Sequence, residues 1–287
     1  MVGTRASGYG VVTVTYNSSE TIGPFLKSVR QHLGKDVEVV VVDNASADAE
    51  QTRAISESYS ARFVPAPSNL GYGSGMNLGV SHLSTKVDTI VLSNPDLTFE
   101  SNILLPISKL FDAQPKLGIA GPQIREDDGE IYPSARAFPS LRIGIGHALL
   151  SRIWLKNPWT RAYHSGAIDY TQTSYPGWLS GACLVVRRST FTQISGFDSA
   201  VFMSFEDVDL CLRAAQAGWG RVFVPEAHVT HLGSHSTQGS SKRMLTEHHR
   251  SAYTYLSRKY RGWYLAPLRG VLWLGLRIRL MRELARN

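Results

Sequence analysis

The sequence has little cysteine and no long apolar run. Cys183 and Cys211 are the only cysteines in 287 residues, too few for a disulfide framework or a structural zinc site, so a reduced, intracellular compartment is expected. No uninterrupted apolar stretch reaches the roughly 20 residues that a membrane-spanning helix requires. The first residues also lack the apolar core of a secretory signal. These absences exclude a disulfide-rich secreted protein and a polytopic membrane protein.

Several common site motifs are missing as well. The glycine-rich stretch 69–79 has Met76 or Leu78 where the dinucleotide-binding fingerprint requires its third glycine. The sequence has no P-loop, no G-x-S-x-G elbow and no H-E-x-x-H motif of a zinc protease. The stretch is therefore predicted either to form a tight loop packed on a neighbouring strand, or to bring its backbone close to a phosphate or sugar, with Asn77 as a polar contact.

Acidic residues are scarce near the end of the sequence. Residues 242–287 hold eleven of the 30 lysines and arginines but only two of the 23 acids, which gives this segment a charge of +9 and leaves −2 for the rest. A near-neutral body with a basic tail predicts that the tail meets an anionic surface while the body carries the chemistry. No nucleic-acid-binding motif accompanies the charge, so nucleic acid is not expected as a partner.

The first half of the sequence alternates strand-like and helix-like segments. Apolar residues make up 43% of the chain and charged residues 18%, which excludes general disorder. Strands are predicted at 11–16, 37–42, 62–64 and 89–92, with a helix at 21–33. This alternation predicts an α/β fold with a mostly parallel central sheet flanked by helices, in which ligands bind beyond the carboxyl ends of the strands.

Polar residues follow three of these predicted strands. They are Tyr16 and Asn17, then Asp43, then Asn94 and Asp96. A lone aspartate after a strand is most often a turn former or helix cap. Two such aspartates at neighbouring strand ends become candidates for holding a divalent metal on a pyrophosphate.

The second half contains a cluster of acids after a less regular region. Residues 122–176 show no clear period and are interpreted as a long insertion that could form an acceptor-binding lid. Regular structure is expected again at 178–187, and a helix from Glu206 to about residue 217. Glu206, Asp207 and Asp209 start this helix. Acids at adjacent positions point in different directions, so one carboxylate is expected to face a cleft, partly dry, as a general base.

Three histidines lie close together further along, at positions 228, 231 and 235. One of them joining Asp96 on a metal is a reasonable hypothesis, whereas a three-histidine zinc site is not expected from this spacing.

Taken in order, these segments resemble a known family. The TYN sequence at 15–17, VDNAS at 42–46, the 69–79 stretch, NPD at 94–96, WLSGA at 178–182 and EDVDLCLR at 206–213 are similar to those of the family-2 inverting glycosyltransferases of GT-A fold. The similarity covers about residues 9–235 and is greatest to bacterial rhamnosyltransferases. It implies a GT-A domain at 1–241, with a nucleotide-binding half at about 9–121 and an acceptor-binding half at about 122–241, followed by a basic, aromatic helical extension at 242–287.

The resemblance also implies roles for particular residues. Asp207 would be the catalytic base, with Glu206 as the alternative, and Asp96 and His231 would hold Mg²⁺ or Mn²⁺. Asn94 stands where the family's DXD motif has its first aspartate, which leaves one fewer anionic ligand. The implied nucleotide-sugar contacts are Thr15, Tyr16, Asn17, Asp43, Asn77, Asn94 and Asp96. The implied acceptor contacts are Trp178, Ser180 and Gly181.

The implied activity is transfer of L-rhamnose from dTDP-β-L-rhamnose to a lipid-linked GlcNAc-pyrophosphate in cell-wall polysaccharide synthesis. The alternatives are a related transferase that uses a UDP-hexose or UDP-galactofuranose, and a non-catalytic protein that binds membrane surfaces. The tail at 263–284 combines tryptophans and leucines with four arginines, too many for a continuous span. It is predicted to lie in the interface of an anionic membrane, which would place the protein in the cytoplasm, peripheral on the inner face of the plasma membrane. The other possibility is a helix packed on the catalytic domain with its arginines exposed.

Overall fold

The computed structural model describes residues 8–139, 168–232 and 242–285. The strands in these ranges are β1 (Gly8–Thr15), β2 (Glu38–Asp43), β3 (Arg62–Pro65), β4 (Val87–Ser93), β5 (Leu97–Phe99), β6 (Leu117–Glu126), β7 (Ile131–Tyr132), β8 (Ala135–Arg136), β9 (Trp178–Leu179), β10 (Cys183–Arg187) and β11 (Gly220–His231). The helices are α1 (Ser19–His32), α2 (Ala49–Ser58), α3 (Tyr72–Ser81), α4 (Leu104–Ala113), α5 (Arg188–Gln193), α6 (Glu206–Gln216), α7 (Lys242–Lys259) and α8 (Ala266–Leu284). The strands and helices predicted for the first half, and the helix at Glu206, are confirmed to within two residues at nearly every end.

The central sheet is mixed, with a parallel half that holds the strand ends of interest. Its order is β3-β2-β1-β4-β10-β6-β11-β5, and β7 pairs with β6. Strands β3, β2, β1 and β4 are parallel to one another, as are β6 and β11. β10 lies between β4 and β6 and is antiparallel to both. The parallel neighbours β1, β2 and β4 therefore end at one edge, at Thr15, Asp43 and Ser93.

Helices cover both faces of this sheet because its strands bury residues on both sides. On one face, Phe25 of α1 and Ile107 of α4 pack with Val11 and Val41 of the strands. On the other face, helices α3, α5 and α6 pack against Val12 and its neighbours. Burial of each large side chain contributes about 1.5–3 kcal/mol to folding. Two hydrophobic layers therefore fix the sheet and hold its carboxyl edge rigid.

The glycine-rich stretch is a helix rather than a loop, because α3 begins at Tyr72. Its glycines permit close packing on the sheet: a Cβ at Gly79 would lie 2.3 Å from a methyl carbon of Val12, and one at Gly75 would lie 2.9 Å from Val14. The prediction of a tight loop is wrong in its secondary structure, although the close approach to a neighbouring strand is confirmed. Because these glycines have no side chain, the helix can lie close to the strand.

The region predicted to be irregular, residues 122–176, contains strands in its first part. β6 runs on to Glu126, and β7 and β8 follow it before residue 139. β8 pairs with β9 in a separate two-stranded ribbon, in which Arg136 lies opposite Trp178. The remainder of the predicted lid, residues 140–167, lies outside the described residues.

The basic extension forms two helices, and α7 packs against the body of the protein. Arg258 pairs with Asp209 of α6 and with Asp198, and Ser251 donates a hydrogen bond to the Met203 carbonyl at 2.9 Å. α8 packs on α7 and leaves most of its apolar residues exposed. In the described ranges, no helix is both long enough and apolar enough to cross a membrane. The division of the chain after residue 241 stays a prediction.

Candidate active site

The ends of β1 and β2 form a polar corner at the carboxyl edge of the sheet. Asp43 is buried, and its Oδ1 accepts a hydrogen bond from the Ser46 N–H at 2.9 Å. Its Oδ2 is buried with no hydrogen-bond partner among the described residues. Thr15 is also buried and donates to the Val42 carbonyl at 3.2 Å. The corner therefore leaves one carboxylate oxygen able to accept a hydrogen bond from a ligand.

Tyr16 and Asn17 form the rim of this corner. Asn17 has a φ of 52°, in the left-handed region that asparagine tolerates better than most residues. Its Oδ1 accepts a hydrogen bond from the Ala47 N–H at 2.9 Å, and its own N–H donates to Ser46 Oγ at 3.0 Å. The Tyr16 side chain is exposed beside Asp43. Asn17 thus joins the two loops, while the Tyr16 ring is available for stacking.

Asp96 and His231 form the second part of the edge. Asp96 Oδ1 lies 3.2 Å from His231 Nε2, because β11 ends beside the NPD turn and the Leu232 N–H donates to the Asp96 carbonyl at 2.9 Å. Neither Asp96 Oδ1 nor His231 Nε2 makes a well-aligned hydrogen bond within the described ranges. The carboxylate of Asp96 raises the pKa of His231. Two buried ligand atoms that face each other at 3.2 Å, and make no hydrogen bond to any other described residue, are suited to a shared cation.

This pair is smaller than a complete metal cage. No group of three or more histidine, cysteine, aspartate or glutamate side chains with metal-binding spacing occurs in the described part of the chain. Hard cations such as Mg²⁺ are commonly bound through one or two carboxylates together with substrate phosphates and water. The residues present fit a metal of that kind, one held jointly with a diphosphate.

Glu206 and Asp207 lie at the first turn of α6, held by the backbone on both sides. Asp207 Oδ2 accepts a hydrogen bond from the Gly181 N–H at 2.9 Å, and Oδ1 accepts one from the Val208 N–H at 2.7 Å. Ser204 and Phe205, directly before the helix, have φ values of 62° and 68°. Such strained conformations cost about 1–3 kcal/mol each and cluster at functional sites.

The two carboxyl groups differ in how they are stabilised. Burial raises the pKa of both, and the charge of Asp207 adds to the rise for Glu206, whose pKa reaches about 8. Backbone N–H groups favour the ionised form of Asp207, whereas Oε2 of Glu206 is buried without a described partner. These hydrogen bonds favour the negative charge on Asp207 and the proton on Glu206.

Tyr72 forms a hydrogen bond to the segment that lies between the NPD turn and the Glu206–Asp207 pair. Its hydroxyl donates a 2.6 Å hydrogen bond to the Gly181 carbonyl. Burial, together with the charges of Glu206, Asp207 and Asp96, raises the pKa of Tyr72. The Asn94 N–H also donates to the Ala182 carbonyl at 2.9 Å. Residues 181–182 therefore bridge the NPD turn and the acid pair. Sequence reasoning missed Tyr72 because its partners lie more than one hundred positions away.

The acceptor residues predicted beside this bridge lie on β9 and the turn after it. Trp178 donates from Nε1 to the Ala137 carbonyl at 3.1 Å, and the Arg136 guanidinium lies 5.5 Å from the centre of its ring. The Ser180 N–H donates to the Ser134 carbonyl at 2.7 Å. A Cβ added at Gly181 would lie 3.2 Å from the Asp207 Cβ. The ribbon formed by β8 and β9 thus determines how closely the turn approaches Asp207.

Other predicted residues have different surroundings. The Asn77 amide bonds only to the Phe197 backbone in the described structure, through Nδ2 at 2.8 Å and Oδ1 at 2.9 Å, and so links α3 to the segment before α6. Asp209 is held by Arg213 and Arg258, away from Asp207. His228 is partly buried, which lowers its pKa. His235 lies outside the described residues. A separate cavity of about 650 Å³ lies at the opposite edge of the sheet, near Tyr9, and none of the predicted site residues lines it.

Comparison with known proteins connects this geometry to a family. Residues 10–172 match the family model described as glycosyl transferase family 2, and residues 159–286 match glycosyl transferase family group 2. The chain is 39% identical over 271 residues to the N-acetylglucosaminyl-diphospho-decaprenol L-rhamnosyltransferase of Mycobacterium tuberculosis, which covers 91% of this chain and 88% of the relative. It is 27% identical to the rhamnosyltransferase WbbL of Escherichia coli, over 82% of this chain and 89% of that one.

A solved structure supports the fold independently. The mannosyltransferase PcManGT from Pyrobaculum calidifontis, in complex with GDP-Man and Mn²⁺, superposes with a TM-score of 0.59. The match covers 95% of this chain and 69% of the other at 16% identity, which shows a shared fold. The family match over more than half of the chain, together with the mycobacterial relative, shows that this protein belongs to glycosyl transferase family 2.

Proposed function

We propose that this protein transfers L-rhamnose from dTDP-β-L-rhamnose to the sugar of a lipid-linked GlcNAc diphosphate, with inversion at the anomeric carbon. The observation that carries the proposal is the short bridge through residues 181–182, which joins Asp207 to the NPD turn. A base for the acceptor hydroxyl and a cation site for the donor diphosphate are thus adjacent. The similarity to the mycobacterial enzyme, whose name specifies this transfer, supports the choice of sugar and acceptor.

On the donor side, the corner at Asp43 receives the nucleotide base. The unpartnered Asp43 Oδ2 accepts a hydrogen bond from the base, and the exposed Tyr16 ring stacks on it. Asn94 and Asp96 lie toward the diphosphate. Asp96 and His231 would hold a divalent ion, Mg²⁺ or Mn²⁺, which would neutralise charge that develops on the leaving diphosphate. Asn94 adds no negative charge, so the ion depends on the donor for much of its binding.

On the acceptor side, Asp207 removes the proton from the attacking hydroxyl. The hydroxyl oxygen forms a bond to the anomeric carbon from the face opposite the diphosphate, and the bond from that carbon to the diphosphate oxygen breaks. The proton ends on Asp207, and the electron pair leaves with the diphosphate. One displacement inverts the centre, so a β-linked donor gives an α-L-rhamnoside. Glu206, whose pKa is raised to about 8, is neutral at pH 7 and so places no second negative charge beside the base.

The test is product analysis with the full-length protein and a divalent salt. Radiolabelled dTDP-rhamnose and UDP-sugars, including UDP-galactofuranose, are each incubated with a synthetic polyprenyl-diphospho-GlcNAc. Label is expected in the lipid fraction from dTDP-rhamnose, as an α-linked disaccharide by NMR. Transfer only from a UDP-sugar would replace the donor assignment. No transfer from any donor, with the protein folded, would favour the non-catalytic alternative.

The same acceptor implies contact with a membrane, and α8 together with the turn before it, Trp263–Leu265, is suited to it. Trp263 is 87% exposed, and Tyr264, Val271, Leu274 and Met281 are exposed as well. Arg277 stacks on Trp273 at 5.4 Å, beside a cleft of about 220 Å³ between α7 and α8. Aromatic side chains at headgroup level and arginines on anionic lipid would hold the protein on the inner face of the plasma membrane.

A further inference from the structure

Arg136 is a positive charge beside the acid pair that no motif indicates. It lies on β8 opposite Trp178 of β9, and its Nε donates to the Pro133 carbonyl at 2.8 Å. Its guanidinium carbon is 5.5 Å from the centre of the Trp178 ring and 5.8 Å from that of Tyr132. Two aromatic rings and a carbonyl thus fix its orientation, and a guanidinium held in this way loses little entropy when it binds an anion.

The guanidinium of Arg136 is also not held by an ion pair in the described part of the chain, in contrast to Arg213 and Arg258, which both bind Asp209. Burial raises the pKa of Asp207, and the positive charge of Arg136 opposes that rise. The ribbon that carries Arg136 also leads into Gly181, whose N–H holds Asp207. The β8–β9 ribbon therefore positions both Arg136 and the backbone N–H that binds Asp207.

The proposed acceptor carries its own diphosphate on the sugar whose hydroxyl reacts with Asp207. That diphosphate must lie about one sugar ring away from two carboxyl groups, one of them ionised, and is repelled unless a cation receives it. The proposed cation site at Asp96 and His231 binds the donor diphosphate. The acceptor diphosphate therefore requires a different positive group. A planar guanidinium binds phosphate oxygens through two parallel hydrogen bonds, which a lysine cannot reproduce.

We propose that Arg136, fixed between Trp178 and Tyr132, binds the diphosphate of the lipid-linked acceptor and so makes the enzyme selective for sugar 1-diphosphates over uncharged glycosides. This inference rests on the proposed function. It makes Arg136 a determinant of specificity rather than a general structural cation.

The test compares two acceptors in wild type and variants of the full-length protein. One acceptor is a short-chain polyprenyl-diphospho-GlcNAc, and the other is an alkyl β-GlcNAc of similar chain length without phosphate. For Arg136→Gln we expect KM for the diphosphate acceptor to rise at least about tenfold, as for loss of a charged hydrogen bond, with kcat/KM for the neutral glycoside within about twofold. Arg136→Lys should recover only part of the loss. Arg53→Gln, which removes another arginine stacked on a ring, over Phe63 at 5.1 Å, is the matched control.

The outcomes separate the inference from the function on which it rests. Equal losses for both acceptors would mean that Arg136 acts through Asp207 or the fold, and would overturn the proposal. Unchanged KM for the diphosphate acceptor would overturn it as well. If wild type transfers no sugar to either acceptor while thermal melting shows it folded, the proposed function fails first. In that case, weaker protection from melting by a GlcNAc 1-diphosphate in Arg136→Gln than in wild type still supports the subsite, and equal protection overturns it.

Discussion

Arg258 of α7 donates a hydrogen bond from Nη1 to Oδ1 of Asp209 on α6, at 2.7 Å. Asp209 is 1% exposed, and its other oxygen is bound by Arg213. Arg258 also pairs with Asp198. The first helix of the basic extension therefore supplies a counter-charge to the helix that carries Asp207, two residues before Asp209.

We expect Arg258→Gln to lower the free energy of unfolding by about 2–4 kcal/mol, because it leaves a buried carboxylate with one cation in place of two. Urea denaturation followed by circular dichroism measures this. Arg250→Gln, on the same helix but solvent-exposed, is the control and should change stability by less than about 0.5 kcal/mol. Equal effects of the two substitutions would show that the Asp209 contact contributes little.

Asp207→Asn should reduce turnover at least about a hundredfold, since a positioned base contributes that much or more to such a reaction. Binding of dTDP-rhamnose, measured by calorimetry, should be retained, because the proposed role of Asp207 is on the acceptor hydroxyl and not on the donor. Glu206→Gln, which mimics the neutral glutamic acid, should retain most of the activity at pH 7. If Glu206→Gln lost most of the activity and Asp207→Asn retained it, Glu206 would be the base.

The acid pair also predicts how stability depends on pH. Burial and the charge of Asp207 raise the pKa of Glu206 from 4.5 to about 8 in the folded protein. A carboxyl group whose pKa is raised by folding stabilises the fold fully below its unfolded pKa, and this contribution is lost as pH rises through the folded value. Glu206→Gln should therefore be more stable than wild type at pH 8–9, with the difference shrinking toward pH 4–5. Thermal melting across this range gives the result; parallel curves would contradict the assigned shift.

Asp96→Asn should raise the concentration of Mn²⁺ or Mg²⁺ needed for half-maximal activity at least about tenfold, because it removes the main anionic ligand beside His231. Direct titration of Mn²⁺ in the presence of dTDP, followed by the paramagnetic resonance of the free ion, measures binding without activity. Asp88→Asn, an exposed aspartate at the opposite end of β4, serves as the control. Full activity of wild type in excess chelator would exclude the metal.

Replacing Trp263 and Tyr264 with serine should release the protein from vesicles that contain anionic phospholipid, in a sedimentation assay at physiological salt. Leu105→Ser with Tyr175→Ser removes a comparable exposed apolar area from the body of the protein and should have no effect. Equal retention of both variants on the vesicles would show that this part of the tail does not hold the protein at the membrane. These substitutions are preferable to deletion of residues 242–287, because α7 packs on α6.

The fold of the first half is well predicted from the sequence because its periodicity is local. The strands that end at Thr15 and Asp43 are rich in β-branched residues. The positions of α1 and α6 follow from the helical spacing of their apolar residues. The glycines at 73, 75 and 79 were harder to interpret, since a glycine-rich segment is typical of loops. Their role in α3 depends on how near Val12 and Val14 lie, which is a property of the packed structure.

The candidate site was predictable where its residues lie at strand ends, as Asp43 and Asp96 do, or at the start of a predicted helix, as Asp207 does. The direction of β10 was not, because a strand that enters the sheet between β4 and β6 depends on pairing between distant segments. Tyr72 and Arg136 were missed for the same reason: each acts through partners that only the assembled sheet brings near. Asn77 is predicted to contact a ligand because it is a polar residue in a glycine-rich segment. Its contacts with the Phe197 backbone join segments 120 positions apart and do not follow from local sequence.

The reversed strand β10 has a consequence for how substrates enter. It shares backbone hydrogen bonds with β4 on one side and β6 on the other, so the donor and acceptor sides are built on one continuous sheet. A hinge-like separation of the two sides would break those bonds, which makes rigid-body closure around the substrates an unfavourable route. Binding order must then be set by the loops along the carboxyl edge. Since the proposed place of the donor diphosphate is beside the buried Asp96, the donor is expected to bind before the lipid acceptor.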